Sequence, residues 1–131
     1  MNEIRIRGTV FSGRGEGARF VELPWVRKQI VEKLGFSPYI GTLNLKLAET
    51  EAEKLENASR KARATEIVPV AGFHPGRCFR AFVRGNLECA IVIPEIDSYP
   101  EDIVELVAPA NLRKELQLKD GDIVEVGIAL E

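Results

Sequence analysis

Short alternating or wholly apolar runs, cut by turn clusters, recur along this chain and leave it few ways to fold. Ile4-Arg5-Ile6-Arg7-Gly8-Thr9-Val10-Phe11 and Thr42-Leu43-Asn44-Leu45-Lys46-Leu47 alternate as strands do, and residues 65–71, 77–84, 87–93, 103–107 and 123–130 are strand-like. Turn clusters around Gly76, Gly85-Asn86, Tyr99-Pro100 and Lys119-Asp120-Gly121-Asp122 separate them. So much short sheet exposes unpaired edges unless it closes on itself, which predicts a mainly β, partly closed small barrel carrying a few short helices. Leu23-Pro24-Trp25 opens a helix with Val26, Ile30, Val31 and Leu34 at helical spacing, and Gly35 stops it. Residues 50–63 read as a surface helix or a loose excursion, and residues 111–116 as a short helix after Pro109. With 131 residues, 45% hydrophobic and 29% charged, the chain 1–131 is expected to be a single domain.

Composition removes several function classes. Eighteen basic residues face twenty acidic ones, a net charge of −2, so no broad attraction to nucleic acid is expected. Apolar stretches such as Ala90-Ile91-Val92-Ile93 are too short to span a bilayer, and the N-terminus has no leader pattern, so a cytoplasmic protein without a membrane partner is expected. Cys78 and Cys89 lie apart in strand-like surroundings, which argues against zinc and for reduced, apolar roles. The single histidine, His74, sits in a turn and receives no catalytic role.

Two patches carry chemistry. Gly13, Gly15 and Gly17 alternate in Ser-Gly-Arg-Gly-Glu-Gly-Ala-Arg-Phe, where glycine can take φ > 0 and bring backbone amides close to an anion. The pattern is neither a Walker loop nor a dinucleotide fingerprint, because no Gly-Lys-Ser/Thr follows and the segment 18–23 alternates like a strand. Turn chemistry alone makes the run a hairpin between Ile4–Phe11 and a strand at Arg19–Leu23, with a phosphate cradle as the alternative. In the second patch, Thr42 and Asn44 are two apart on a strand and share a face. Their oxygens suit a hard cation whose charge is balanced by phosphate; the plainer alternative is hydrogen bonding to nearby backbone.

SGRGEGARF, LGFSPYIGTLNLKL, AIVIP and IVELVAPANLRKELQLKDGDIVEV together resemble, in order and spacing, the archaeal CTP-dependent riboflavin kinases. The resemblance implies a six-stranded cradle-loop barrel of the RIFT type that transfers the γ-phosphate of CTP to the 5′-hydroxyl of riboflavin, giving FMN and CDP. By position it implies a nucleotide loop at Arg14, Gly15, Glu16, Gly17, Ala18 and Arg19, and a second nucleotide stretch at Ala110, Asn111, Leu112 and Arg113. It implies Mg2+ on Thr42 and Asn44. Flavin contacts fall on Glu105, also a candidate catalytic group, and on a threonine position occupied here by Asp97, or by Ser98 after a one-residue shift. Riboflavin and CTP would be the only partners, bound by a monomer. The segment from Leu112 to Val126 also resembles the swapped-hairpin DNA-binding regulators, so a nucleic-acid-binding module is the competing reading, and a non-catalytic flavin or nucleotide module a third.

Overall fold

The computed structural model describes residues 2–130, and six of its strands form a closed antiparallel ring. β1 (Glu3–Phe11) pairs along one edge with β7 (Ile123–Ala129), from Glu3↔Ala129 to Thr9↔Ile123. The distal end of its other edge pairs with β2 (Leu43–Lys46), from Phe11↔Asn44 to Thr9↔Lys46. β2 continues to β6 (Ile103–Val107), β6 to β5 (Leu87–Pro94) and β5 to β4 (Gly76–Val83). Pairing of β4 with β7 at Ala81–Val83 closes the circuit. A seventh strand, β3 (Thr65–Ile67), takes the rest of that β4 edge at Gly76–Cys78. The predicted strand over 65–71 is therefore cut short at Ile67, and the sheet is a six-stranded barrel with one appended strand.

Two apolar clusters hold the ring. Inside it lie Ile6, Val10, Leu45, Phe79, Ala81, Val83, Ile91, Leu106, Val126 and Ile128. Outside, α1 (Glu16–Glu22) and α2 (Pro24–Leu34) press Phe20, Val21, Val26, Ile30 and Leu34 onto Ile67, Cys78, Ala90, Val92 and Val107. The run Ala90-Ile91-Val92 is continuous because Ile91 points inward while its neighbours lie beneath helices. Full burial of each such aliphatic side chain contributes about 1.5–3 kcal/mol. α2 begins with its proline in the first turn and ends at Gly35, whose φ of 84° accommodates the left-handed cap. Val31, grouped by spacing with the buried face, is 47% exposed. α3 (Glu49–Lys61) seats Leu55 and Ala58 on the barrel, and Glu51 accepts from the Arg7 amide at 2.7 Å. α4 (Leu112–Glu115) is capped by the Asn111 side chain, which accepts from the Lys114 amide. Among the described residues no helix is long and apolar enough to cross a membrane.

The expected strand at Arg19–Leu23 is absent: Glu16–Glu22 is α1, so the glycine run joins a strand to a helix and is not a hairpin. Nor do Gly13, Gly15 and Gly17 adopt positive φ. The small size of Gly15 and Gly17 serves close approach instead, while a Cβ at Gly13 would have room.

Candidate active site

Among the described residues, two polar side chains are buried, Asn44 at 4% exposure and Glu105 at 1%. They are direct cross-strand partners of β2 and β6, so both project to one side of the sheet. Alternation alone would have put that side in water; the glycine segment and α1 cover it.

Glu105 is bonded on every side. Oε2 accepts from the Gly17 amide at 2.7 Å and the Tyr99 hydroxyl at 2.8 Å, while Oε1 accepts from the Ala18 amide at 3.1 Å and lies 3.1 Å from Thr42 Oγ1. Two amides left without intrahelical partners at the start of α1 are thereby satisfied by a carboxylate from another strand. The fit leaves no room for side chains. A Cβ added at Gly17 would lie 2.4 Å from Glu105 Oε2, and one at Gly15 2.9 Å from Oε1. A solvated strand carboxylate is thus ruled out for Glu105. Burial first, then the charge of Glu105 and the bond to it, push the Tyr99 phenol well above its usual pKa, so it stays a proton donor.

Thr42 Oγ1 lies 3.0 Å from Asn44 Oδ1 as well as 3.1 Å from Glu105 Oε1. A hydroxyl has one proton. A carboxylate is a stronger acceptor than an amide carbonyl, so the hydroxyl donates to Glu105 Oε1 and turns a lone pair toward Asn44 Oδ1. The Asn44 amide is held in that sense by donation from Nδ2 to the Gly13 carbonyl at 2.7 Å. Two cis ligands of an octahedral magnesium ion, each at about 2.1 Å, stand about 3.0 Å apart. The pair fits that ion. Among the described residues no cluster of three His, Cys, Asp or Glu side chains offers an alternative metal centre.

A cavity of about 330 Å³ joins this pair to one of the two expected nucleotide segments, 110–113, and to Ser12 and Gly13 just before the other. Its walls include Ser12 and Gly13, Thr42 and Asn44, and Ala110, Asn111, Leu112 and Arg113. Arg113 is tied to Asp120 and approaches Ser12 Oγ at 3.4 Å, and Ser12 donates to Asp120 at 2.8 Å. The bond from Arg113, then that from Ser12, hold the Asp120 carboxyl below its usual range. The turn that resembles the DNA-binding regulators has a structural task here: Gly121 donates to the Val10 carbonyl, the Val10 amide to Asp122, and the Lys119 amide to the Asp122 side chain.

Of the expected loop residues, Arg14 to Arg19 do not line this cavity. Arg14 pairs with Glu22, and Arg19 with Glu16 at 2.9 Å. Among the described residues, the amides of Gly13, Arg14 and Gly15 donate to no protein group. Glu16 borders a separate cleft of about 600 Å³ with His74, Glu95, Ile96, Asp97 and Ser98, which brings the glycine loop beside both candidate threonine-position residues. Neither Asp97 nor Ser98 contacts Glu105 through a hydrogen bond; Tyr99 does. Sequence reasoning missed Tyr99, filed under a turn cluster, and Tyr39, whose hydroxyl accepts from Asn111 Nδ2 at 3.3 Å at the cavity mouth. Tyr39 sits three residues before Thr42, a proximity that offered a signal; Tyr99 offered none.

Fold and site define a class: a closed antiparallel barrel with a cavity of mixed lining on one wall, into which the neutral oxygens of Thr42 and Asn44 are gathered. A model for the CTP-dependent riboflavin kinase family, described as "Domain of unknown function DUF120", matches residues 10–128. Riboflavin kinases of Methanosarcina barkeri, Archaeoglobus fulgidus and Pyrobaculum aerophilum are 41%, 42% and 43% identical over 94%, 97% and 97% of the chain. The chain spans 56%, 55% and 61% of the length of these relatives. The chain belongs to the CTP-dependent riboflavin kinase family.

Proposed function

We propose that this barrel transfers the γ-phosphate of CTP to the 5′-hydroxyl of riboflavin. The observation that carries the reading is the meeting, in one cavity, of Thr42 and Asn44 with the segments 12–13 and 110–113. Gly13 lines it, and the amides of Gly13 and of Arg14 and Gly15 next along the chain donate to no described protein group and suit phosphate oxygens. Arg14 and Arg19 reach the same phosphates by exchanging their exposed acidic partners, since such surface pairs hold only about 0–1 kcal/mol. Backbone groups of 110–113 read the cytosine edge, and a purine would leave them unmatched.

Thr42 and Asn44 hold Mg2+, which neutralises charge on the β- and γ-phosphates when bound. Riboflavin enters through the cleft bounded by Asp97 and Ser98. Glu105 lies between the two openings, touching Gly17 and Ala18 next to Glu16 on one side and Thr42 on the other. With four donors around it, its work is to hold the loop and the metal ligand in place. A loose phosphoryl-transfer transition state asks little of a base, so positioning supplies most of the acceleration. The reading is of a cytoplasmic monomer acting on two small molecules.

FMN formation from riboflavin and Mg2+ with CTP, UTP, ATP and GTP in parallel tests this. CTP far ahead of ATP is expected. A folded protein inactive with all four sinks the proposal and makes DNA binding the next assay.

A further inference from the structure

Tyr99 lies in none of the expected substrate-binding segments, yet its phenol reaches the buried Glu105. It lines a groove of about 640 Å³ between α3 and the β5–β6 connection, and its hydroxyl donates to Glu105 Oε2 at 2.8 Å. From there an unbroken chain of contacts crosses to the cavity: Glu105 Oε1 to Thr42 Oγ1 at 3.1 Å, Thr42 to Asn44 Oδ1 at 3.0 Å, and Asn44 Nδ2 to the Gly13 carbonyl at 2.7 Å.

The geometry points to Tyr99 as a positioning residue that, by fixing the Glu105 carboxylate, directs the single hydrogen bond donated by the Thr42 hydroxyl to Glu105 and leaves a Thr42 lone pair for a divalent cation. This rests on the metal role proposed above for Thr42 and Asn44. The direction of the chain follows from proton counting. Tyr99, Gly17 and Ala18 are donors toward Glu105 and cannot reverse, because amides only donate and the buried phenol keeps its proton beside a carboxylate. Three fixed donors leave Glu105 one acceptor site, and it faces Thr42. Held in place, that site competes with Asn44 Oδ1 for the one Thr42 donation and wins it as the stronger acceptor; donation to Asn44 would close the pair against a cation. Groups behind a metal ligand that set its orientation typically change metal affinity about 10–100-fold when removed.

The test reads Mn2+ binding in place of Mg2+, by electron paramagnetic resonance of free Mn2+ in the presence of CDP, so that it needs no turnover. Tyr99→Phe keeps the ring and removes the hydroxyl; Thr42→Val keeps the shape and removes the ligand. Tyr99→Phe is expected to weaken Mn2+ about tenfold, to lower kcat, and to leave the riboflavin KM unchanged. In the Thr42→Val background the same change is expected to add nothing, because both act through one oxygen. Glu105→Gln interrupts the chain one step later and should weaken Mn2+ at least as much as Tyr99→Phe, since it also loosens the Gly17 and Ala18 amides, a second route should the phenylalanine variant melt early. Unchanged Mn2+ affinity in either variant, or a full extra loss in the Thr42→Val background, overturns the proposal. So does a raised riboflavin KM at unaltered Mn2+ affinity, which would make Tyr99 a flavin contact. FMN formation by the unaltered chain is scored separately: its absence with Mn2+ behaviour as expected removes the kinase reading and leaves the positioning role standing.

Discussion

The two walls of the barrel bury different things. Where β1, β7 and β4 meet, the interior is Ile6, Val126, Ile128, Ala81 and Val83, all of them apolar. Where β2 meets β6, the paired residues Asn44 and Glu105 are polar and buried, and glycines crowd against them. The first wall is held by dispersion and exclusion of water, which tolerate small changes of shape. The second shares that apolar interior through Leu45 and Leu106, but its outer face is held by directed bonds in which each donor has a specified acceptor, and a buried group left without one costs about 1–3 kcal/mol. Stability and chemistry are therefore separable by mutation.

Thr42→Ala combined with Asn44→Ala should give the largest separation. Mg2+-dependent FMN formation is expected to fall by more than about 100-fold in a protein that still unfolds cooperatively, less stable by about 1–3 kcal/mol for each partner orphaned at Gly13 and Glu105; a double variant with unchanged rate removes the metal assignment. Gly17→Ala comes next, since its Cβ would sit 2.4 Å from Glu105 Oε2. Overpacking there should cost about 1–3 kcal/mol in urea unfolding and lower kcat as well, and normal activity would show that Glu105 moves freely. On the apolar wall, Ile128→Val should cost about 1 kcal/mol with kcat/KM unaltered, and any kinetic change would erase the contrast between walls. The smallest effect concerns Cys78 and Cys89, whose thiols burial pushes up to about 12. Against the ordinary 9.0, thiolate is about a thousandfold scarcer at neutral pH, so neither should react with iodoacetamide until urea unfolds the chain. The sign follows for stability: above pH 9 the unfolded thiols ionise and the buried ones do not, so stability declines as the pH rises through that range.

Much of this was legible in the sequence because it rests on local pattern. Alternation at 42–47 put Thr42 and Asn44 together, Gly35 marked the end of α2, and the succession of short strands implied closure. What escaped depends on distant groups. The segment 16–22 alternates like a strand over a few residues, and its glycine disfavours helix; it is helical because Glu105, 88 positions away, accepts its first amides. Glu105 itself sits at an outward position of a strand, where a glutamate ordinarily meets water. Its burial follows from α1 lying over that face, so helix and carboxylate each explain the other and neither is visible alone.

The pairing of β1 with β7 has a consequence for how this protein comes into being. Glu3 finds its partner only at Ala129, and the β4 edge at Ala81–Val83 waits for the same strand. During synthesis the ring therefore stays open until β7 has emerged, with the edges of β1 and β4 unsatisfied in the interim. Contacts between such remote positions also slow closure once the chain is free. Ribosome-bound chains ending before Ile123 should stay protease-sensitive even though both walls of the cavity, 42–44 and 103–107, have already been made.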